Sequence, residues 1–155
     1  MLLKRLCRDL CFAYPKHQNL HIIRTARDPS DGLALSSRNV YLTSDGRKVA
    51  STLRQALLAA EAAWYTGSTK SGCIDSATQV IEERRAQASS EGLQVEMVLD
   101  YIQMNDSDTF DVLDPYVRNS NDGSQVVVIL SGALYVDKTR LIDNILLGDV
   151  KKLLD

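Results

Sequence analysis

The sequence has only three cysteines among 155 residues. That odd number does not build a disulfide framework, and a chain of this length does not need one. Cys7 and Cys11 stand four apart and so share one helix face, but no second Cys or His pair at recognisable spacing completes a metal site. The thiols are expected to be structural, as buried cysteines commonly are, and no protein metal site is expected. An excess of positive charge is also missing. Lys plus Arg number 18 against 20 Asp plus Glu, a formal net charge of −2, which leaves no broad cationic surface for a nucleic-acid backbone and argues against a nucleic-acid partner. No apolar run approaches the roughly 20 residues that span a bilayer. The opening Met1-Leu2-Leu3-Lys4-Arg5-Leu6 is interrupted by charge too early for a secretory signal. A cytoplasmic protein with no membrane partner is the expectation. With 45% hydrophobic and 25% charged residues, the chain has what a packed core needs and lacks the profile of disorder.

What is present divides into recognisable periods. Leu3, Leu6, Leu10 and Phe12 recur at helical spacing from Leu2 to Phe12, and Leu20-His21-Ile22-Ile23-Arg24 is a β-branched run of strand length. This helix and strand resemble the last αβ step of a parallel sheet whose other strands are not in the sequence. Thr43 or Ser44 is placed to cap a helix running to about Trp64, with Val49, Leu53, Ala56, Leu57, Ala60 and Trp64 on one stripe. Thr66-Gly67-Ser68 ends it. A second helix, about Ser71 to Ala88, turns Ile74, Ala77, Val80 and Ile81 inward and Glu82, Glu83, Arg84 and Arg85 outward, and Gly92 closes it. Val95 to Met104 and Gln125 to Val136 carry strand chemistry and are expected to belong to one small sheet. Between them, Asp106 to Ser124 is rich in Asp, Asn, Ser and Gly, so its tip, Tyr116 to Gly123, is expected to be a mobile surface insertion. A short strand near Leu141 to Ile145 and a terminal helix complete the order.

The most informative segment is Ser36-Ser37-Arg38, because two hydroxyl donors and a guanidinium on a turn suit the oxygens of a polyphosphate. Taken alone, the same residues also fit a solvent-facing loop that caps a helix. Upstream, Pro29 and Asp31-Gly32 mark turns, with Gly32 supplying a backbone conformation other residues resist. Arg24 and Arg27 border the loop without being assigned to it. Arg140 and Asp143 are read as anchors of the terminal strand rather than as a substrate clamp, and Trp64 and Tyr101 as packing residues.

Asp31-Gly32-Leu33-Ala34-Leu35-Ser36-Ser37-Arg38-Asn39, followed by Tyr41-Leu42, resembles the signature of the pantothenate synthetase (pantoate-β-alanine ligase) family. Thr139-Arg140-Leu141-Ile142-Asp143-Asn144 resembles that family's C-terminal T-R-L-I-D-N segment, and Asp100-Tyr101 falls where the family has an aspartate-tyrosine strand. The resemblance implies a reaction in which ATP and pantoate form a pantoyl adenylate with release of pyrophosphate. The amine of β-alanine then attacks to give pantothenate and AMP. ATP enters as its Mg2+ complex, with no tightly bound cofactor, and the full-length family implies a possible homodimer. The segment around Ser36 is similar to the K-M-S-K-S loop of class I aminoacyl-tRNA synthetases. The resemblance implies that Ser36 and Ser37 donate to phosphate oxygens and that Arg38 neutralises charge on the leaving pyrophosphate.

The family's H-x-G-H motif and G-x-K-D-x-Q segment are missing from this sequence. His17 and His21 do not have the spacing of that histidine pair and are read as a loop and a strand residue. The fold class expected is therefore α/β: a remnant of a doubly wound, Rossmann-like nucleotidyltransferase domain over residues 1–27, then a small α+β lid domain with an antiparallel sheet over residues 28–155. The chain is expected to correspond to the C-terminal, phosphate-binding half of the ligase, inactive alone. A non-catalytic interaction module or degenerate paralogue that pairs with an N-terminal half stays open as an alternative. A tRNA-synthetase-related domain ranks behind both for want of basic clustering.

Overall fold

The computed structural model describes residues 23, 25–119 and 127–149. The expected Leu2–Phe12 helix, most of the Leu20–Arg24 strand, Cys7, Cys11, His17, His21 and the terminal helix lie outside the described residues, as does nearly all of the expected 1–27 unit.

Among the described residues three α-helices lie on one face of a three-stranded antiparallel sheet. They are α1 (Ser44–Val49), α2 (Thr52–Tyr65) and α3 (Lys70–Ser90), and the strands are β1 (Met97–Asp106), β2 (Val128–Val136) and β3 (Thr139–Leu147), in the order β1-β2-β3. Thr43 caps α1 through its hydroxyl, which accepts from the Gly46 amide at 2.9 Å. The expected single helix to Trp64 is divided at Ala50-Ser51. The Thr52 hydroxyl donates to the Val49 carbonyl at 2.6 Å and occupies an acceptor the helical ladder would otherwise use. The stripe survives the break: Val49, Leu53, Ala56, Leu57, Ala60 and Trp64 are all buried. On α3 the buried row is Cys73, Ala77, Ile81 and Ala88, with Ile74 and Val80 only half-buried at its edges. Low reactivity is built into Cys73, because burial pushes its thiol up to about 11.

The sheet pairs Met97 with Val136 and Val128 with Leu147, so Met97, Met104, Val128, Leu130, Leu134, Val136, Leu141, Ile145 and Leu147 face the helices and are buried. β3 is longer than the expected Leu141–Ile145 run, since ladder bonding to β2 continues to both ends. Val98, Tyr101, Tyr135 and Ile142 stay exposed on the opposite face. Tyr101 therefore does not join the core, whereas Trp64 does. Part of the expected mobile tip is also tied down. The first amides of α3, from Lys70 and Ser71, donate to the carbonyls of Val117 (2.8 Å) and Pro115 (3.1 Å), and the Lys70 ammonium reaches the Leu113 carbonyl. Helix ends need such acceptors and donors, and this loop supplies them.

At Gly132 the sheet and α2 come too close for a side chain. A Cβ there would sit 3.0 Å from Leu53 Cδ1, 3.4 Å from Leu57 Cδ2 and 3.2 Å from the Tyr101 carbonyl oxygen. The leucines can shift, but the backbone oxygen belongs to the β1 ladder and cannot. Gly132→Ala is expected to lower stability by about 1 to 3 kcal/mol, the range for overpacking, read as an earlier midpoint in urea unfolding. An unchanged midpoint would mean that α2 is free to lift off the sheet.

Candidate functional site

The segment from Ala26 to Tyr41 is shaped before any ligand is considered. Arg27 and Ala34 form an antiparallel bridge, the Leu35 amide donates to the Ala26 carbonyl at 2.9 Å, and the Asp28 amide donates to the Leu33 carbonyl at 2.8 Å. Gly32 closes this tight loop with φ 75°. Carboxylates fix the turns: Asp28 Oδ1 accepts from the Ser30 amide at 2.9 Å and the Ser30 hydroxyl at 2.6 Å, and Asp31 Oδ1 accepts from the Leu33 amide at 3.0 Å. Arg47, on α1, then bonds both carboxylates, Asp28 at 2.7 Å and Asp31 through its other terminal nitrogen. The Arg47 guanidinium holds the Asp31 carboxyl below the usual carboxylate range, and the Ser30 hydroxyl and amide, ahead of Arg47, do the same for Asp28.

A second arginine ties the loop to the sheet. Arg27 makes a two-pronged ion pair with Asp143 of β3, at 2.7 and 2.9 Å, and also donates to the Gly32 carbonyl at 3.2 Å. Asp143 raises the Arg27 guanidinium further above its ordinary value. Asp143 faces the helix side of the sheet, opposite Gly132, and its carboxylate is only 9% exposed. Arg140 has a different partner: its Nε and Nη2 donate to Asp100 Oδ2 at 2.8 and 2.7 Å, and Asp100 sits at the β-bulge between Leu99 and Tyr101. The reading of Arg140 and Asp143 as anchors thus resolves into two separate pairs, one along the sheet and one to the loop.

Beyond this braced region the chain enters a 3-10 turn, Ser37–Tyr41, capped by Ser36, whose hydroxyl accepts from the Arg38 amide at 3.2 Å. The capping reading of Ser36 is thus the one seen, and the cap uses one lone pair and leaves the hydroxyl proton available. Asn39 pins the turn by donating to the Ala34 carbonyl at 3.0 Å. Ser36, Ser37 and Arg38 are exposed and consecutive, and among the described residues the Arg38 guanidinium has no ion-pair partner. The three sequence-predicted residues are thus presented together at the rim of the sheet. Arg47 was not singled out from the sequence. Its signal is weak, a lone arginine in the helix that follows an acid-rich turn. Among the described residues no group of three or more His, Cys, Asp and Glu side chains converges in a metal-binding arrangement. No helix among them is long and apolar enough to cross a membrane.

Comparison with known proteins gives a consistent result. The family model described as pantoate-beta-alanine ligase matches residues 1–146. The pantothenate synthetase of Moorella thermoacetica is 34% identical over 95% of this chain and 44% of its own length. The pantoate-beta-alanine ligase of Schizosaccharomyces pombe is 36% identical over 93% of the chain and 43% of its own length. A bifunctional pantoate ligase/cytidylate kinase of Gloeobacter violaceus is 36% identical over 95% of the chain and 24% of its own length. The crystal structure of pantothenate synthetase from Thermus thermophilus superposes with a TM-score of 0.66 at 29% identity, over 92% of this chain and 44% of that one. The chain thus spans less than half the length of these relatives.

Proposed function

Because the chain belongs to the pantoate-beta-alanine ligase family, we propose that it supplies the phosphate-gripping part of an ATP-dependent ligase that joins pantoate to β-alanine. In this reading a pantoate carboxylate oxygen attacks the α-phosphorus of magnesium-bound ATP, the bond to the β-phosphate oxygen breaks, and pyrophosphate leaves. The amine of β-alanine then attacks the acyl carbon of the pantoyl adenylate, AMP departs with the bonding electrons, and the nitrogen loses a proton. Ser36 and Ser37 hold phosphate oxygens by hydroxyl donation, and Arg38 neutralises the charge that builds on the leaving pyrophosphate. The protein forms no covalent bond to substrate. Adenine and pantoate recognition fall to the family's H-x-G-H-bearing half, with residues 1–27 as the last helix-strand unit of that doubly wound domain and residues 28–155 as the lid domain, in a cytoplasmic, homodimeric enzyme.

The observation that carries this reading is the presentation of Ser36, Ser37 and Arg38 on a turn whose base is braced by Arg27–Asp143 and Arg47–Asp28. A rigid base with a free charged tip is what electrostatic stabilisation of a transient anion requires. The test is AMP release dependent on both pantoate and β-alanine, from the full chain alone and after addition of a separately expressed N-terminal half of a family member. Activity in the mixture only is the expected result. Silence in both arms would instead favour the non-catalytic interaction module, and activity from the chain alone would overturn the division of labour.

A further inference from the structure

Arg38 is not the only cation at the rim. It lines an open cleft of 610 Å³ together with Tyr41, Lys138, Thr139 and Arg140, and among the described residues no carboxylate contributes to that lining. Arg38 and Arg140 also line a second, smaller cavity of 50 Å³, together with Ser36, Asn39 and Leu141. Three cations from two segments distant in sequence therefore converge on one space of ordinary ligand-site size. Like charges brought together repel one another, and among the described residues Asp100 is the ion-pair partner of Arg140 while Arg38 and Lys138 have none. From these observations we propose that Lys138 and Arg140 form the second arm of an anion clamp that closes with Arg38 on a polyphosphate, a nucleotide's phosphate chain or the pyrophosphate it releases. This rests on the phosphate reading of Ser36-Ser37-Arg38 above.

The hairpin that carries these residues is built to hold them still. Val136 pairs with Thr139, so Asp137 and Lys138 form the two-residue turn between β2 and β3. Asp137 adopts φ 52°, and its carboxylate accepts from the Glu96 amide at 2.9 Å and the Thr43 hydroxyl at 3.2 Å. The turn is thereby fastened to the start of β1 and to the cap of α1. Lys138, the next residue, is exposed and has no ion-pair partner among the described residues. Arg140 is held in place at rest. Its Asp100 partner is 35% exposed and its own side chain 41% exposed, with the guanidinium 5.9 Å from the Tyr101 ring centroid. An exposed pair of this kind contributes little to stability, so its cost of release is small against a multiply charged phosphate.

The experiment is calorimetric titration of the full chain with inorganic pyrophosphate, repeated with inorganic phosphate. Variants are Arg38→Ala, Lys138→Gln, Lys138→Arg and Arg140→Gln, with Lys48→Gln as a matched loss of charge outside the cleft, all first compared by thermal melting. Lys138→Gln and Arg140→Gln are each expected to weaken pyrophosphate binding about threefold to tenfold, Lys138→Arg to keep it, and Lys48→Gln to leave it unchanged. Pyrophosphate should bind at least about tenfold more tightly than phosphate, since only the longer anion spans both arms. If Arg38→Ala alone weakens binding, the second arm is wrong and the phosphate reading of the loop stands. If the wild-type chain does not bind pyrophosphate, or Arg38→Ala binds it as the wild type does, both fall. Equal loss in Lys48→Gln and Lys138→Gln would reduce the effect to net charge and overturn the clamp.

Discussion

Replacing Arg38 by alanine is expected to slow the adenylate-forming step, in which pyrophosphate is cleaved from ATP, about 100-fold to 1,000-fold in the reconstituted enzyme, the usual cost of removing one preorganised group that stabilises developing charge. The fold should hardly notice. The Arg38 side chain is exposed and has no ion pair among the described residues, and its backbone amide, which bonds the Ser36 hydroxyl, remains in the variant. Surface changes without such partners usually stay within about 0.5 kcal/mol. The comparison of melting curve and rate therefore separates chemistry from stability in one variant. If charge on the departing pyrophosphate is what Arg38 meets, kcat should fall more than KM rises, because that charge is larger in the transition state than in bound ATP. Arg38→Lys should recover part of the rate, since it keeps the charge and loses the planar fork. Wild-type kinetics in Arg38→Ala would remove the phosphate role from this loop.

Ser36 sets a useful contrast. Its hydroxyl is already engaged as the cap of the 3-10 turn, so its loss would disturb both the turn and any phosphate contact. That double duty explains why the residues alone left two readings open: a helix-capping serine and a phosphate-binding serine use the same atom. The longer match around Asp31-Gly32-Leu33, together with the second block at Thr139–Asn144, points to the family, and the phosphate role of Ser36 follows from it as a proposal. The stripe across α1 and α2 was legible because a half-buried helix writes its period into the sequence, and all six predicted positions from Val49 to Trp64 are buried. The β1 and β2 strands were legible from their β-branched runs. Contacts across long separations leave no such period. Arg27 and Asp143 are 116 residues apart, and nothing local to either marks the other as its partner. The docking of Pro115 and Val117 on the first turn of α3 was likewise invisible, because a polar loop looks the same whether it is free or is supplying acceptors to a helix end. That Lys138 lines the same cleft as Arg38 was equally invisible, because no spacing in the sequence links the two.

The Arg27–Asp143 pair is where loop and sheet become one object, and Asp143→Ala is expected to be the most damaging single change to the site's stability. With Asp143 only 9% exposed and Arg27 22% exposed, removing the carboxylate leaves a guanidinium against the sheet with one remaining acceptor, the Gly32 carbonyl. Breaking a buried pair from one side costs about 3 to 5 kcal/mol, and the partial exposure of Arg27 lowers the expectation to about 2 to 3 kcal/mol. In a chain of this size that is a fall in Tm of roughly 5 to 10 °C. The loss should not be uniform. Amides of Asp28, Gly32 and Leu35, which bond within the loop, should gain exchange rate well ahead of those on the buried face of α2. A double variant, Arg27→Met with Asp143→Ala, removes both charges and should recover part of the stability, because what destabilises the single variant is the unpaired ion. Asp143 makes no hydrogen bond or ion pair to the three residues at the loop tip among the described residues, so any effect on them is expected to run through Arg27. Its loss should loosen pyrophosphate binding through a mobile Arg38, while the double variant regains stability without regaining the grip. Strictly additive single and double variants would show that the two residues act independently, and the loop would then have to be held by Arg47 alone.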